Sequence, residues 1–369
     1  MEPIRQRTAT AGSTEQDGYL IVSTEGAAQS AGPSGATSDT VVAGVDLGDP
    51  VLAAAVRDGL ARVEELLISE LSDGEDFLTE VALHLAKAGG KRFRPLFTLL
   101  TAQLGPEPDD AAVVTAATAV ELVHLATLYH DDVMDEATMR RGAPSANARW
   151  SNSVAILAGD FLFAHASRLV STLGPDAVRT IAETFAELVT GQMRETIGTG
   201  KERDPVEHYL KVVWEKTGSL IATSGRFGGT FSGADAKQIA QLERLGDAVG
   251  TAFQIADDII DISSASVESG KTPGTDLREG VHTLPVLYAF RESGPEADRL
   301  RELLAGPVED EAAVDEALML LARSPGMAAA KRTLGEYADK ARAELASLPS
   351  GPANEALRRL VDYTIARVG

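Results

Sequence analysis

Residues 121–142 read ELVHLATLYHDDVMDEATMRRG. The first nine residues have the three-and-four apolar spacing of a buried helix face. The end carries Asp131, Asp132 and Asp135 within five positions, followed by Arg140 and Arg141. Like charges one turn apart on a helix cost roughly 0.2–0.5 kcal/mol per pair, and partial burial raises that cost. A chain that closes an apolar helix with crowded carboxylates implies something positive bound there.

The pattern occurs again. Residues 254–264 read QIADDIIDISS, with Asp257, Asp258 and Asp261 in the same arrangement behind another apolar helical run, LGDAVGTAFQIA. At 100° per residue, Asp131 and Asp135 share one helix face, as do Asp257 and Asp261. One such motif is readily a solvated helix end. Two, each closing an apolar helix, predict carboxylates that meet across a cavity and share hard divalent cations. Mg²⁺ suits this, since it is typically held by one or two carboxylates plus substrate phosphates. An EF-hand is excluded by the absence of its loop spacing and glycine.

Composition sets the limits. The chain has 369 residues, is 44% hydrophobic and 5% aromatic, and carries a formal net charge of −21. That charge argues against a nucleic-acid binder, which would show a basic face. It also makes each local cluster of Lys and Arg a candidate site for a specific anion. With 0 cysteines, disulfides, thiolate metal sites and a cysteine nucleophile are all ruled out. No apolar run is read as long enough to span a bilayer, the first residues lack a secretory signal, and a cytoplasmic protein is expected.

Residues 1–46 are rich in Ser, Thr, Gly and Ala without periodicity, and are expected to be a flexible tail. Residues 47–369 are expected to form one all-α domain, a large helical bundle around a central cavity. The spacing predicts helices over 50–70, 75–88, 95–104, 109–137, 152–173, 176–197, 205–232 (interrupted near Gly218), 235–262 and 283–292, with two or three more before Val368. Entry signals stand at Asp109-Asp110, Pro175-Asp176 and Asp204-Pro205. No hairpin signal is read anywhere.

Cations accompany the acidic motifs. AGGKRFRPLF places Lys91, Arg92 and Arg94 between a Gly-Gly pair and a helix start, and a helix N-terminus with adjacent cations favours an anion. Lys216-Thr217-Gly218 breaks a helix, and SGKTPGTDLREG carries Lys271 in a Gly-containing loop.

In this order, GGKRFRP, HDDVMD with RRG, GDFLFAHA, KTG, QIADDIID and GKTPGTDL closely resemble the trans-type polyprenyl diphosphate synthases, in particular long-chain bacterial members. The resemblance runs from about Pro50 to the C-terminus. It implies the isoprenoid synthase fold, a homodimer, and condensation of an allylic diphosphate with isopentenyl diphosphate in the presence of Mg²⁺. Carried over by motif, Asp131, Asp132, Asp135, Asp257, Asp258 and Asp261 are the metal-binding and catalytic carboxylates. Lys91, Arg94, His124 and Arg141 correspond to the isopentenyl diphosphate site. Arg140, Lys216 (also catalytic), Thr217, Gln254 and Lys271 correspond to the allylic site. The helical wheel adds that His124 lies two turns below Asp131 on the same face, and that Gln254 sits one turn before Asp257. One departure stands out: the family commonly has Gly-Lys before Thr-Leu-Pro, whereas this chain has GVHTLP, with His282 at that place.

Product length is read beneath Asp131. Thr127, His124 and Val120 continue its face with Val123 at the margin, and none is a large aromatic. The family's floor position, five before the first aspartate, is Ala126; its role comes from the resemblance, since the wheel puts it off that face. A long all-trans product for quinones such as menaquinone is expected, with a peripheral membrane contact for its release. The alternatives are a short-chain geranylgeranyl or farnesyl diphosphate synthase and a non-catalytic partner subunit that only binds prenyl diphosphates.

Overall fold

The structure, a computed structural model, describes residues 39–72, 76–198, 200, 203–263 and 273–368. Helices run in order α1 (Pro50–Leu71), α2 (Asp76–Lys87), α3 (Phe93–Ala102), α4 (Ala111–Met134), α5 (Ala146–Arg149), α6 (Asn152–Ser171), α7 (Pro175–Ile197) and α8 (Pro205–Val213). A π-turn at Trp214–Gly218 leads into α9 (Ser219–Phe231), α10 (Ala236–Ser263), α11 (Thr275–Glu279) and α12 (Leu284–Ala289). The chain ends with α13 (Pro295–Leu303), α14 (Glu311–Arg323), α15 (Pro325–Ala346) and α16 (Pro352–Ala366). The expected all-α class and the order of the helices hold.

The entry signals act as expected. Asp110 caps α4 by accepting from the Ala112 amide at 2.7 Å. Asp204 caps α8 through the amides of Val206 and Glu207 at 2.8 and 3.3 Å. Pro175 and Pro205 occupy first turns, where a missing N–H costs nothing.

The centre of the bundle follows from apolarity. α4 is apolar on nearly every face, with buried residues from Val113 to Tyr129, and a helix of that kind belongs inside. It packs against α6, α3, α9 and α1, while α10 packs against α9 and α15. At 24 and 28 residues, α4 and α10 extend about 36 and 42 Å at 1.5 Å per residue, so each spans the domain and carries its aspartates to its C-terminal end. By length and composition α4 and α6 are both apolar enough to cross a membrane. This corrects the reading that no such run exists, although most of the apolar stretch in α4 is buried by other helices.

Two hairpins correct the expectation of none. Val41–Val42 pairs with Val45–Asp46, and Met139–Arg140 with Ala143–Pro144. Both turn through two residues of positive φ, Ala43-Gly44 (51° and 85°) and Arg141-Gly142 (54° and 77°), the mirror-image geometry that suits a tight hairpin. Neither was legible because Ala and Arg rarely adopt it. The first hairpin buries Val42, Val45 and Leu47 in the core, so residues 39–46 are built into the fold. Residues 1–38 of the expected tail lie outside the described residues.

Candidate active site

The first aspartate cluster ends α4. Asp131 and Asp132 stand in its last turn, and Asp135 is its C-cap, its amide bonded to the Asp131 carbonyl at 2.8 Å. Glu136, at φ 50°, and a 2.9 Å bond from the Ala137 amide to the Asp132 carbonyl then turn the chain back, so that Arg140 Nε donates to Asp132 Oδ1 at 2.6 Å and its Nη2 lies 3.9 Å from Asp135. Asp132 is 0% exposed, and its Oδ2 is buried without a hydrogen-bond partner. Burial, with Asp135 and Glu195 adding, pushes the Asp131 carboxyl up to about 6 against the pull of Lys216 and Arg140. Burial likewise raises Asp132. Carboxyls strained toward protonation in this way fit a site completed by a cation.

The second cluster ends α10. Tyr209 donates its hydroxyl to Asp258 Oδ2, and Gln254 donates its amide to Oδ1 at 2.8 Å. Thr217 in turn donates to Gln254 Oε1 at 3.1 Å. Burial, with Asp257 and Asp261 beside it, pushes Asp258 up to about 7 despite the Tyr209 and Gln254 hydrogen bonds. Asp257 pairs with Arg367 at 2.6 Å. Asp261 accepts from the amides of Thr275 and Asp276, both at 3.2 Å, at the start of α11.

In each cluster, then, the middle aspartate is buried and gripped by protein donors, while the outer pair is at least partly open to solvent. Among the described residues, no three carboxylate or imidazole groups converge into a ready-made metal cage.

Lys216 and Glu279 connect the clusters. The Lys216 ammonium bonds Glu195 at 2.6 Å; burial works against its charge, but Glu195, Asp131 and Asp135 outweigh this and raise its pKa. Its neighbour Thr217 belongs to the Asp258 network. Glu279 of α11 is raised by burial and by both Asp135 and Asp261.

A second cationic group lies below Asp131. Arg94 is half-buried, its Nε is buried without a partner, and its pKa is lowered to about 10 by burial and by Arg141. His124 is held well below its usual range by burial and by Arg94, Arg141, Arg92 and Arg140, and is therefore neutral. Arg141 donates to the carbonyls of Leu85, at 3.2 Å, and Gly89, joining the Gly-Gly loop to the Arg141-Gly142 turn. Arg92 is taken up by the fold: it sits at φ 47° and binds Glu64, Glu121 and the Ala86 carbonyl. Lys91 is exposed, its ammonium 6.0 Å from the centroid of the Tyr363 ring.

The remaining expected residues are placed as follows. Val123 and Ala126 are 1% exposed and packed among Ala155, Ala158 and Leu162. Gly159 of α6 approaches so closely that a Cβ there would lie 3.0 Å from the Ala126 carbonyl. Thr127 is half-buried, its hydroxyl on the His124 carbonyl at 2.8 Å. Lys271 lies outside the described residues. His282 turns away, bonding the Leu304 carbonyl at 2.8 Å and meeting Phe290 edge-on. Tyr209, Glu195, Glu279 and Arg367 were missed, because their contacts join helices far apart in sequence. Only Glu279, inside GTDLREG, had a local signal.

Residues 75–321, more than half of the chain, match the polyprenyl synthetase family model. The chain belongs to that family. It is 67% identical over 333 residues to a nonaprenyl diphosphate synthase from Mycobacterium tuberculosis, covering 90% of this chain and 99% of that protein. A dimethylallyltranstransferase from the same organism is 52% identical, with 88% and 99% covered. Among solved structures, a geranylgeranyl pyrophosphate synthase from Corynebacterium glutamicum, complexed with calcium and isoprenyl diphosphate, superposes with TM-score 0.79 at 56% identity, covering 87% of this chain and 99% of that one. A decaprenyl diphosphate synthase from Rhodobacter capsulatus gives 0.78 at 34% identity, with 86% and 99% covered. This polyprenyl synthetase thus has the fold of the isoprenyl diphosphate synthases and is a trans-type prenyltransferase.

Proposed function

We propose that this prenyltransferase condenses isopentenyl diphosphate with an allylic diphosphate, using Mg²⁺, to make a long-chain all-trans polyprenyl diphosphate in the hexaprenyl to decaprenyl range. The observation that carries the reading is the gathering of cations beside the aspartate clusters: Lys216 and Arg140, which act on Asp131, and Arg94 with Arg141, which act on each other and on His124. Two groups call for two diphosphates. The 67% identical nonaprenyl synthase supports a long product, one suited to quinone side chains such as that of menaquinone.

In this reading Asp131, Asp135, Asp257 and Asp261 would hold the divalent cation, and the buried Asp132 and Asp258 orient Arg140, Gln254 and Thr217. When bound, the cation neutralises charge on the leaving diphosphate. Arg140, Lys216, Thr217 and Gln254 bind that diphosphate and stabilise it as the allylic C–O bond breaks. Arg94, Arg141, Lys91 and neutral His124 hold isopentenyl diphosphate so that its double bond attacks the allylic carbon. The proton then lost passes to the departing pyrophosphate. The apolar walls keep water from the cation.

A homodimer fits the surface. Val178, Val189, Met193 and Ile197 are exposed along one face of α7, with exposed Ala182 and Ala186 filling the stripe. Ile156 and Leu157 are exposed on the neighbouring α6. An apolar face of this extent is characteristic of a covered surface, and a second copy is the occupant we assign. We place the enzyme in the cytoplasm, where its diphosphate substrates dissolve, with a peripheral membrane contact to receive the product.

Mass spectrometry of the products from ¹³C-labelled isopentenyl diphosphate and farnesyl diphosphate tests the proposal. Chains of hexaprenyl length or longer support it. Growth that stops at geranylgeranyl diphosphate, the product named for the Corynebacterium relative, supports the short-chain alternative. No condensation at all supports a non-catalytic subunit.

A further inference from the structure

The π-turn Trp214–Gly218 carries Lys216 and Thr217, and α7 and α10 grip it from two sides. From α10, Asp247 accepts from Trp214 Nε1 at 2.9 Å, and Gln254 accepts from Thr217. From α7, Arg194 forks onto Glu215 at 2.7 and 3.1 Å, and Glu195 takes the Lys216 ammonium. The backbones come closer still. A Cβ on Gly191 of α7 would lie 2.7 Å from the Lys216 amide nitrogen and 2.8 Å from Glu215 Cβ. A Cβ on Gly250 of α10 would lie 2.8 Å from Gly218 Cα.

A π-turn inserts one residue into a helix, is rare, and occurs frequently at functional sites. Losing it would shift the following register by one residue, about 100° of rotation. Lateral contact therefore has to hold it. We infer that Gly191 and Gly250 are positioning residues for the allylic diphosphate site: their missing side chains let two helix backbones seat the π-turn, directing Lys216 toward the first aspartate cluster and Thr217 toward Gln254 and the second. This rests on the reading of Lys216 and Thr217 as diphosphate-binding groups.

The test compares Gly191→Ala and Gly250→Ala with Gly225→Ala, where a Cβ would press on the Leu242 carbonyl, away from the π-turn. Lys216→Ala serves as the reference. The readouts are KM for each substrate, thermal stability, and calorimetric binding of an unreactive allylic thiolodiphosphate. Both π-turn variants are expected to raise the allylic KM and the analogue Kd about tenfold, equivalent to about 1.4 kcal/mol, with the KM for isopentenyl diphosphate unchanged. The control is expected to lose stability without that split. If both π-turn variants keep the wild-type allylic KM while Lys216→Ala raises it, the positioning role is overturned and the site reading survives. If Lys216→Ala also keeps it, both are overturned. Should neither alanine variant fold, Arg194→Gln, which releases Glu215 without adding volume, carries the same expected split, and its absence overturns the proposal.

Discussion

Arg140 and Asp132 are eight residues apart and meet at 2.6 Å because the chain folds back between them at Glu136, whose φ is 50°. The aspartate is 0% exposed, so its charge depends on that guanidinium. Arg140→Ala is expected to destabilise the protein by about 1–3 kcal/mol, less than a fully buried pair because Arg140 is part-exposed. Adding Asp132→Asn should recover most of the loss. Thermal melts of the three variants check this, and additive losses in the double variant would contradict it.

Asp131 and Asp258, raised to about 6 and about 7, make stability depend on pH. Their folded pKa values lie above the unfolded value, so the folded state holds these protons more tightly. The stabilisation is fully present below about pH 4 and is lost as pH rises through 6 to 7. Metal-free protein should therefore melt lower at pH 8 than at pH 5, and part of that drop should vanish in Asp131→Asn and in Asp258→Asn. An unchanged drop in both variants would contradict the assignment.

The two cationic groups should separate kinetically. Arg94→Ala is expected to raise KM for isopentenyl diphosphate more than for the allylic substrate, and Lys216→Ala the reverse. A charged hydrogen bond to phosphate is worth about 1.5–3 kcal/mol, or roughly tenfold to a hundredfold. Steady-state kinetics with each substrate varied would show equal effects if the two-site division is wrong.

Ala126→Phe is expected to shorten the product to geranylgeranyl diphosphate or less, with the first condensation little affected. Because Ala126 is 1% exposed in the core, the added ring should also cost about 1–3 kcal/mol of stability. Product analysis beside a melting curve checks both. A stable variant that keeps the wild-type length would remove Ala126 from length control.

Much of this was legible locally. The aspartates and the helix entries at Asp110 and Asp204 depend on spacing along one helix, which sequence displays directly. The break at Gly218 was legible too, but not that it is a π-turn, since Gly191 and Gly250 that seat it lie on other helices. Tyr209 reaches Asp258 across 49 positions and Arg367 reaches Asp257 from α16's C-cap, so only folding reveals them. Arg92 looked like a phosphate ligand until Glu64 and Glu121 were seen to neutralise it.

The most direct test of the two-cluster account is turnover of Asp131→Ala and Asp257→Ala at saturating Mg²⁺ and both substrates, with circular dichroism to confirm folding. Removing crowded like charge should leave the bundle intact, so the account predicts wild-type helicity and turnover lower by orders of magnitude in each variant. Near-normal turnover in both would contradict it.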